Sequence, residues 1–522
     1  MSHKIPGVTH SAPLPPGLDE AAHRCLVAGF AGTTSVPDTL KRLIDQGLGG
    51  VILFTRNVRD AQQVRRLTGE LRALRPDLLV GIDNEGGGIG HLVAAGAPDV
   101  PGSFALGVAD DPALTARCAD ALAGHLASLG ITVSYAPVAD LQHHPRNPIV
   151  RTRSFGAEPA LAARHLRAWI AATERRGVAS CAKHFPGHGG TETDSHHGIA
   201  VDPRPYDELR ADLEPFRAAV DAGVPMLMSA HVVFPALDPE RPATLSRRIL
   251  GDLLRHELDF DGVLVSDALE MKAIADRYGE AAGARIALAA GADQVIVAVP
   301  ELEVTLACRD AVRGALRTGA LPEERLWEAA GRVERLAGRY AVPGGAAGGS
   351  GAGAGGWDEG ADGWDEEVGG WGAGPGGWGA GPGLEAARRA VRGGPGPAVV
   401  RGAHVVDLFP PPHPALNWGG EDLLTQVRAV DPTATGTAVA GEPADPAAVV
   451  AGILGASGAA PLVVATCDAG LHPWQERLRA ALLARRPDAV RVDTGLPEGG
   501  ALCSYGRGRV NLRAVAEVLT GG

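Results

Sequence analysis

The segment GVILFTRNVRDAQQVRRLTGELRALRPDLLVGID, residues 50–83, contains two short apolar runs separated by a longer amphipathic stretch. The runs GVILF (50–54) and LLVGID (78–83) are almost wholly apolar, as expected for parallel β-strands that are buried on both faces. The intervening stretch DAQQVRRLTGELRAL (60–74) has the apolar periodicity of a helix. The segment therefore predicts a β-strand, an amphipathic helix and a second β-strand.

The same alternation extends from about residue 22 to about residue 340. Six further apolar runs have the same character: CLVAGF (25–30), ITVSYAPV (131–138), ASCAKHF (179–185), VPMLMSAH (224–231), GVLVSD (262–267) and DQVIVAV (293–299). About eight strand-helix units in a row indicate an α/β protein built on a closed (β/α)8 barrel of the TIM type. An open, doubly wound parallel sheet is the alternative.

The composition changes abruptly after the last of these units. Residues 344–383 are almost wholly Gly, Ala, Pro, Asp and Glu, with a tryptophan at every seventh position from Trp357 to Trp378. A coiled coil needs two apolar positions in seven and few glycines, so we predict a low-complexity, disordered linker, with an aromatic binding tether as the alternative. The predicted domains are a catalytic barrel at 1–343, this linker, and a smaller C-terminal α/β sandwich domain at 384–522.

The overall composition excludes several classes of partner. The formal net charge is -12, whereas nucleic acids and anionic membrane surfaces bind clustered cations. Six separated cysteines without a CxxC pair predict reduced, buried thiols. No apolar run reaches the roughly 18–20 residues of a membrane span, and no signal peptide is recognised at the N-terminus. We therefore expect a cytoplasmic protein, monomeric or of undetermined oligomeric state, that binds neither nucleic acid nor membrane.

Polar and ionisable side chains follow the predicted strands where each one ends. In a (β/α)8 barrel the carboxyl ends of the strands meet at one mouth, which holds the active site. A single polar residue at such a position often only solvates a loop, but five strands ending in this way predict a reactive site. The groups are Asp83, Asp140, Lys183 with His184, His231, and Asp267.

Asp267 ends the strand in the run GVLVSDALEM (262–271). A carboxylate placed directly after a buried strand is rigid and partly desolvated, which suits a nucleophile that attacks an electrophilic carbon. An equally simple interpretation is that Asp267 caps the helix that follows, a role that Ser266 would also fit. Its position alone does not decide between the two.

The stretch KHFPGHGGTETDSHHG (183–198) supports two chemical interpretations, beside the alternative of a polar turn without chemistry. A metal site would take its ligands from His184, His188, Asp194 and His196. However, the first two histidines straddle a Pro-Gly pair and lack the helical spacing of HExxH sites. The other interpretation is proton transfer by His196 oriented by Asp194, because a histidine titrates near neutrality and can act as acid and then as base.

These segments together resemble glycoside hydrolase family 3, and specifically its β-N-acetylhexosaminidase branch, which acts in peptidoglycan recycling. The stretch 183–198 and VLVSDALEM (263–271) carry most of the resemblance, with support from GIDNEGG (81–87), YAPVADL (135–141) and RTRSFGAEP (151–159). The resemblance implies a retaining hydrolase that cleaves terminal β-linked N-acetylglucosamine. Asp267 would form a covalent glycosyl intermediate, and His196, oriented by Asp194, would serve as acid and base.

The resemblance also implies a first sugar subsite and requires no metal or other cofactor. The residues that match this subsite are Asp83, Arg153, Lys183 and His184. His188 and His197 have no implied chemical role, and we expect them to shape the loop.

The segment NEGGGIGHL (84–92) departs from the family pattern, with Gly88 and His91 at positions where the family usually has charged residues, including an arginine that touches the sugar. A histidine cannot replace the planar, bidentate guanidinium. We therefore predict weaker or altered sugar recognition, retained catalysis, and His91 as a candidate sugar contact.

Two other functions fit the same sequence. A phosphorylase would form the same intermediate and resolve it with phosphate, because a histidine acid/base does not repel an anionic acceptor as a carboxylate would. A catalytically impaired carbohydrate-binding protein would follow if the altered GGGIGHL (86–92) loop had abolished turnover.

Overall fold

Eight parallel strands close into a barrel in the order β1-β13-β12-β9-β7-β6-β3-β2, where strands are numbered along the whole chain. Strand β1 pairs with both β2 and β13, which closes the sheet, so the TIM-type barrel is confirmed and the open-sheet alternative is wrong. The barrel strands are β1 (Leu26–Ala28), β2 (Gly50–Leu53), β3 (Leu79–Ile82), β6 (Val133–Ser134), β7 (Ala179–Phe185), β9 (Met226–Ser229), β12 (Val263–Ala268) and β13 (Gln294–Val297).

Short strands outside the barrel belong to the loops at its mouth. They are β4 (Asn84–Gly86), β5 (Ile89–Gly90), β8 (Ala200–Val201), β10 (Val232–Phe234) and β11 (Asp238–Pro242). The computed structural model describes residues 14–341, 381–393, 399–411, 422–498 and 502–521. The predicted disordered linker falls outside these ranges up to residue 380, and the predicted domain limits remain a prediction.

Helices surround the barrel and connect its strands. They are α1 (Pro16–Arg24), α2 (Asp38–Asp45), α3 (Ala61–Leu74), α4 (Ser103–Ala109), α5 (Pro112–Ser128), α6 (Pro159–Arg175), α7 (Tyr206–Asp221), α8 (Lys272–Ala275), α9 (Glu280–Ala290), α10 (Leu302–Arg317) and α11 (Glu323–Tyr340). A π-helical segment, Arg248–Glu257, precedes β12.

Helix α3 shows how local sequence produces these elements. The side chain of Asp60 accepts a hydrogen bond from the backbone N–H of Gln63 and so caps the first turn. Val64, Leu67 and Leu71 recur at helical spacing and are fully buried against the barrel.

The amino-terminal end of the barrel is closed by helix α11. Leu336 and Tyr340 of that helix pack against the apolar interior of the barrel, which includes Val27, Ile52 and Leu79. The hydroxyl group of Tyr340 donates a hydrogen bond to the carboxylate of Glu174. Because this end is filled by side chains, access to the barrel interior is from the carboxyl ends of the strands.

The C-terminal domain contains a five-stranded parallel sheet in the order β15-β14-β16-β17-β18. One apolar cluster joins one sheet face to α13 and α16, and a second joins the other face to α14 and α15, so the sheet lies between two helical layers and the predicted C-terminal α/β sandwich is confirmed. Its elements are α12 (Pro382–Ala390), β14 (His404–Phe409), α13 (Leu423–Arg428), β15 (Thr435–Ala440), α14 (Pro446–Ser457), β16 (Leu462–Thr466), α15 (Pro473–Leu483), β17 (Val490–Asp493), β18 (Leu502–Cys503) and α16 (Arg509–Thr520).

The two domains contact each other through α12, the segment after β18 and the loops that follow β16 and β17. Arg117 of α5 pairs with Glu385 of α12 at 2.7 Å, and the rings of Phe104 and Tyr505 stack with centroids 5.7 Å apart.

All six cysteines lie within the described residues as free, buried thiols. No helix in the described ranges is long and apolar enough to cross a membrane.

Candidate active site

The floor of the barrel mouth is a cluster of four ionic groups. The Lys183 ammonium, near the end of β7, lies 2.6 Å from a carboxylate oxygen of Asp83 and 2.6 Å from one of Glu85. Arg153 donates two hydrogen bonds to Glu85, at 2.8 and 2.9 Å. Three of the residues proposed for the first subsite, Asp83, Arg153 and Lys183, therefore meet around Glu85.

Burial and neighbouring charges have opposite effects on the pKa values of the groups in this cluster. Burial alone would raise the pKa of the Glu85 carboxyl group, but the charges and hydrogen bonds of Arg153 and Lys183 outweigh it and hold the pKa well below its usual range. Burial would likewise lower the pKa of the Lys183 ammonium, yet the carboxylates of Asp83 and Glu85 raise it. Glu85 and Lys183 therefore remain charged at neutral pH, and the ion pairs of the cluster fix the positions of its members.

His184 is oriented by Asp140, which lies in the segment that follows the neighbouring strand β6. The Nδ1 atom of His184 lies 2.7 Å from Asp140 Oδ2, while Asp140 Oδ1 accepts the backbone N–H groups of His184 and His188 at 3.1 and 2.8 Å. The opposite ring nitrogen, Nε2, lies 3.5 Å from Nη2 of Arg153. His184 thus joins the ionic cluster from the side of β7.

Asp267, near the mouth end of strand β12, is half-buried and does not cap a helix. Its Oδ1 accepts the backbone N–H of Ala268 at 2.8 Å, and helix α8 begins only at Lys272, where the N-cap residue Met271 makes no side-chain cap. The hydroxyl of Ser266 accepts the N–H of Ile296 at 3.1 Å, so Ser266 joins two barrel strands. The helix-cap interpretation of both residues is therefore wrong.

The electrostatic environment keeps Asp267 ionised. Burial would raise the pKa of its carboxyl group, but the nearby imidazoles of His184, His231 and His196 lower it below its ordinary value. His231 itself is fully buried, with Nδ1 2.8 Å from Thr244 Oγ1 and Nε2 3.0 Å from the carbonyl oxygen of Ala268. His231 therefore fixes the backbone immediately after Asp267.

His196 and Asp194 form a hydrogen-bonded pair in the loop after β7. The carboxylate atom Asp194 Oδ1 lies 2.7 Å from His196 Nδ1 and accepts the His196 backbone N–H at 2.8 Å. Burial would lower the pKa of the His196 imidazole, but the hydrogen bond and charge of Asp194 raise it above its ordinary value, and the charge of Asp267 adds to this rise. The carbonyl oxygen of Ser195, next to His196, accepts the backbone N–H of Ala273 at 3.3 Å, so this loop lies against the segment that follows Asp267.

The remaining histidines of the loop have different environments. His188 is buried between Thr191 and Ser195, each with a hydroxyl oxygen 3.0 Å from an imidazole nitrogen, and burial lowers its pKa to about 4. It supports the loop as a neutral side chain. His197 is largely exposed, with Nε2 3.9 Å from Asp194 Oδ2.

The ligands of the metal interpretation do not converge. His184 pairs with Asp140, His188 lies between two hydroxyl groups, and His196 pairs with Asp194. Among the residues that the structure describes, no group of three or more His, Cys, Asp or Glu side chains has an arrangement that could hold a metal ion.

His91 lies beside the end of β2. Its Nδ1 atom is 2.9 Å from the hydroxyl oxygen of Thr55, and its ring meets that of Phe54 edge-on with centroids 5.2 Å apart. Burial lowers the pKa of the imidazole, and the charges of Asp83 and Lys183 also act on it. His91 therefore lies at the same mouth, and its contact with a sugar remains a prediction.

Glu85 was not predicted from the sequence as a site residue, and Asp140 was predicted only as a strand-end group. Glu85 lies just beyond the end of β3 and carries no periodic signal. Its partner Arg153 is 68 residues away, and Asp140 is 44 residues from His184. The acidic pair in GIDNEGG (81–87) was the local indication that this segment contributes more than one carboxylate.

The fold and the site together define the class of the protein. A (β/α)8 barrel whose mouth holds an ionised carboxylate and a separate carboxylate-imidazole pair fits a glycoside hydrolase. The chain belongs to glycosyl hydrolase family 3, because the model of the N-terminal domain of that family matches residues 31–336. The family resemblance noted in the sequence is therefore confirmed.

Two named proteins are similar to this chain. The chain is 38% identical over 319 residues to a β-hexosaminidase of Pseudomonas aeruginosa, covering 60% of this chain and 91% of that protein. It is similar along almost its whole length to the structure of a family 3 β-N-acetylglucosaminidase from Paenibacillus sp. str. FPU-7, with a TM-score of 0.83, 32% identity and coverage of 97% of this chain and 96% of that one.

A third similarity concerns a structure with a sugar derivative. NagZ from Neisseria gonorrhoeae, solved in complex with N-trifluoroacetyl-D-glucosamine, is 32% identical with a TM-score of 0.51, and the match covers 61% of this chain and 98% of that one.

Proposed function

We propose that the protein is a retaining β-N-acetylhexosaminidase that hydrolyses terminal β-linked N-acetylglucosamine, acting in peptidoglycan recycling in the cytoplasm. The observation that carries the proposal is the presence, at one barrel mouth, of the ionised carboxylate Asp267 and the hydrogen-bonded pair Asp194 and His196. The relatives with β-hexosaminidase and β-N-acetylglucosaminidase names support the substrate class.

In the proposed reaction Asp267 attacks the anomeric carbon of the bound sugar. The N–H of Ala268 holds Oδ1 at 2.8 Å and orients the carboxylate, so that Oδ2 can form the bond to carbon. As the glycosidic bond breaks, protonated His196 gives its proton to the leaving oxygen. The neutral imidazole then removes a proton from water, which attacks the anomeric carbon and releases Asp267.

The ionic cluster would bind the hydroxyl groups of the sugar in the first subsite. Lys183 and Arg153 supply N–H donors and Asp83 supplies an acceptor, while Glu85 holds the two cations at fixed positions. His184, oriented by Asp140, completes this set. Because these groups are already paired before a sugar arrives, the subsite is preorganised and loses little side-chain entropy on binding.

A 5-fluoro N-acetylglucosaminide tests nucleophile, mechanism and sugar class together, because the fluorine slows hydrolysis of the covalent intermediate. We expect mass spectrometry of the digested protein to place the sugar adduct on the peptide that contains Asp267, and the variant Asp267→Asn to carry no adduct. An adduct on another residue, or a product released with inverted configuration, would contradict the proposal.

The role of His196 can be separated from a structural one by comparing leaving groups. His196→Ala should slow a natural disaccharide far more than a nitrophenyl glycoside, because nitrophenolate leaves with little need of a proton. The exposed neighbour His197 provides a matched control, since His197→Ala should slow both substrates alike and only slightly. Equal losses on both substrates for His196→Ala would mean that His196 only supports the loop.

A phosphorylase is the second candidate, favoured by one feature of the site. The acid/base group His196 is an imidazole, which does not repel an approaching phosphate as a carboxylate would. Turnover of a nitrophenyl N-acetylglucosaminide in phosphate and in phosphate-free buffer distinguishes the two reactions. Accumulation of a sugar 1-phosphate would replace the hydrolase proposal. Release of nitrophenol that depends on Asp267 would eliminate a purely carbohydrate-binding protein.

A further inference from the structure

A strained arginine lies in the turn that carries Arg153. Arg151 begins the short 3-10 helix Arg151–Arg153 and has a φ of +39°, in the left-handed region that disfavours residues with a Cβ atom. Its side chain is also almost fully buried, with 6% exposed. Such a conformation persists only where surrounding contacts hold it, and residues of this kind cluster at functional sites.

The ion pairs that hold Arg151 come from the other domain. Its Nη2 donates to Asp468 Oδ1 at 2.7 Å and to Glu498 Oε1 at 3.2 Å, while its Nη1 donates within the barrel domain to the carbonyl oxygen of Pro145 at 3.1 Å. The Asp468 side chain is only 7% exposed. The ion pair between the domains is therefore shielded from water, so its attraction is screened less than that of a surface pair, and removal of one partner would leave an unpaired buried charge.

The C-terminal domain holds its two carboxylates rigidly. Asp468 follows β16 closely, has a φ of +54°, and accepts the backbone N–H of Leu496 at 3.4 Å. The Glu498 side chain accepts the backbone N–H of Gly470, and the Glu498 backbone N–H donates to Asp493 at 2.9 Å. The carboxyl end of the sheet thus presents a prearranged anionic receptor to Arg151.

The same turn presents Arg153 to the sugar subsite. The Arg153 N–H donates to the carbonyl oxygen of Val150 at 2.8 Å, and the Ser154 N–H donates to that of Arg151 at 3.2 Å. Any movement of Arg151 therefore shifts the backbone of Arg153, whose guanidinium is paired with Glu85. Arg151 itself makes no contact with the ionic cluster among the contacts that the described residues show.

A second contact joins the C-terminal domain to the loop that follows Glu85. A Cβ atom on Gly508 would lie 3.4 Å from the Cα of Gly87, in the loop that follows Glu85. A Cβ on Gly87 would lie 2.7 Å from the Cα of Gly102, and one on Gly102 would lie 2.7 Å from the carbonyl oxygen of Thr152. Gly87, Gly102 and Thr152 are thus packed without room for a Cβ atom on either glycine, and Gly508 of the C-terminal domain lies in van der Waals contact with Gly87.

We propose that the C-terminal domain positions the first sugar subsite, and that Asp468 acts as a positioning residue by anchoring the turn of Arg153 through Arg151. The substrate side of the inference rests on the proposed function. The claim that Asp468 anchors the turn does not rest on that function, because it concerns only how one domain holds a turn of the other. Loss of the anchor weakens sugar binding more than it slows the chemical step at Asp267.

The test uses the full-length protein and the variants Asp468→Asn, Arg151→Gly and their combination. Asparagine keeps the shape of Asp468 without its charge, and glycine accepts the left-handed φ of Arg151 without the side chain. Glu385→Gln is the matched control, because it breaks another ion pair between the domains, with Arg117, away from the mouth. The probes are p-nitrophenyl N-acetyl-β-glucosaminide as substrate and free N-acetylglucosamine as competitive inhibitor.

We expect Asp468→Asn to raise KM and the inhibition constant about tenfold with kcat changed by less than about threefold, because a misplaced binding group affects affinity first. Glu385→Gln should change neither constant. The double variant should be no worse than the more affected single variant, because both substitutions remove the same ion pair. If the wild type is active and Asp468→Asn has the same KM as the wild type, the inference is wrong.

Hydrogen exchange provides a readout that needs no catalysis. Backbone amides of residues 145–155 should exchange faster in Asp468→Asn than in the wild type, whereas Glu385→Gln should leave this segment unchanged. If the wild type failed to turn over the substrate, the proposed function would be wrong. The exchange rates would still show whether Asp468 anchors residues 145–155. If Asp468→Asn does not fold, Glu498→Gln removes the longer of the two ion pairs and should show the same changes to a smaller extent.

Discussion

Replacement of Glu85 by glutamine should destabilise the barrel, because Glu85 is the anion that joins two buried cations at the mouth. Its side chain is 4% exposed and accepts hydrogen bonds from Lys183 at 2.6 Å and from Arg153 at 2.8 and 2.9 Å. Glutamine has nearly the same shape but only one acceptor oxygen. Its amide NH2 group would face an N–H donor of one of the cations.

The magnitude follows from the hydrogen bonds and the charge that the substitution removes. A hydrogen bond to a charged group contributes about 1.5–3 kcal/mol, and removal of one partner of a buried ion pair costs about 3–5 kcal/mol. Since glutamine keeps one acceptor and Asp83 still pairs with Lys183, we expect the free energy of unfolding to fall by about 3 kcal/mol. This is a large part of the roughly 5–15 kcal/mol that stabilises a typical domain.

Urea unfolding at pH 7 measures the loss of stability, with Asp120→Asn as a matched control. Asp120 also binds an arginine through both oxygens, with Arg176 Nε at 2.7 Å, but this pair lies at the surface with 29% of the Asp120 side chain and 44% of the Arg176 side chain exposed, and should contribute less than about 1 kcal/mol. A loss for Glu85→Gln no larger than that of the control would refute the reasoning. It would mean that the cations are neutralised without Glu85.

The pH dependence of the same difference provides an independent check. The pKa of Glu85 is depressed in the folded state, so its contribution to stability is complete above its ordinary value of 4.5 and is lost as the pH falls through the lower, folded value. The difference in stability between the wild type and Glu85→Gln should therefore shrink steadily as the pH is lowered below 4.5. A difference that stayed constant would contradict the assignment of the effect to charge.

Two further predictions concern the loop of the proposed acid/base. Asp194 raises the pKa of His196 above 6.5, so the imidazole of the variant Asp194→Asn should lose its proton at a lower pH. The basic limb of the plot of kcat/KM against pH should therefore move to lower pH. A limb that does not move would contradict the role of Asp194. Gly189→Ala would place its Cβ atom 1.5 Å from the carbonyl oxygen of Leu141 and force the loop backbone to shift, so kcat should fall by about tenfold or more. Gly198→Ala, where no atom lies within 4 Å, is the control that should keep full activity.

Much of the fold was predictable from local pattern. The barrel could be predicted because its strands are buried on both faces, which makes each a short apolar run, and because each run is followed by a stretch of helical period. The pairing of Asp194 with His196 could also be predicted, because a separation of two residues allows only a few relative positions of the two side chains. The same local reasoning could not decide whether Asp267 caps a helix, since that depends on where α8 begins.

Long-range partners could not be predicted in this way. Lys183 meets Asp83 across 100 residues, and Arg151 meets Asp468 across 317. Contacts between residues so far apart in sequence produce no pattern of periodicity or spacing. Glu85, whose partners are also far away in sequence, was not predicted for this reason.

The sequence by itself determined the strand-helix alternation, and with it a barrel whose strand ends carry polar groups at one mouth. It also determined the local carboxylate-imidazole pair, because hydrogen bonding between near neighbours needs only the chain between them. Only the tertiary structure decided which charges neutralise each other, that the histidines of the loop have separate partners, and that a second domain holds the turn of Arg153. Closure of the barrel and docking of the domains bring these groups within about 3 Å, the range in which charge and desolvation set pKa and geometry.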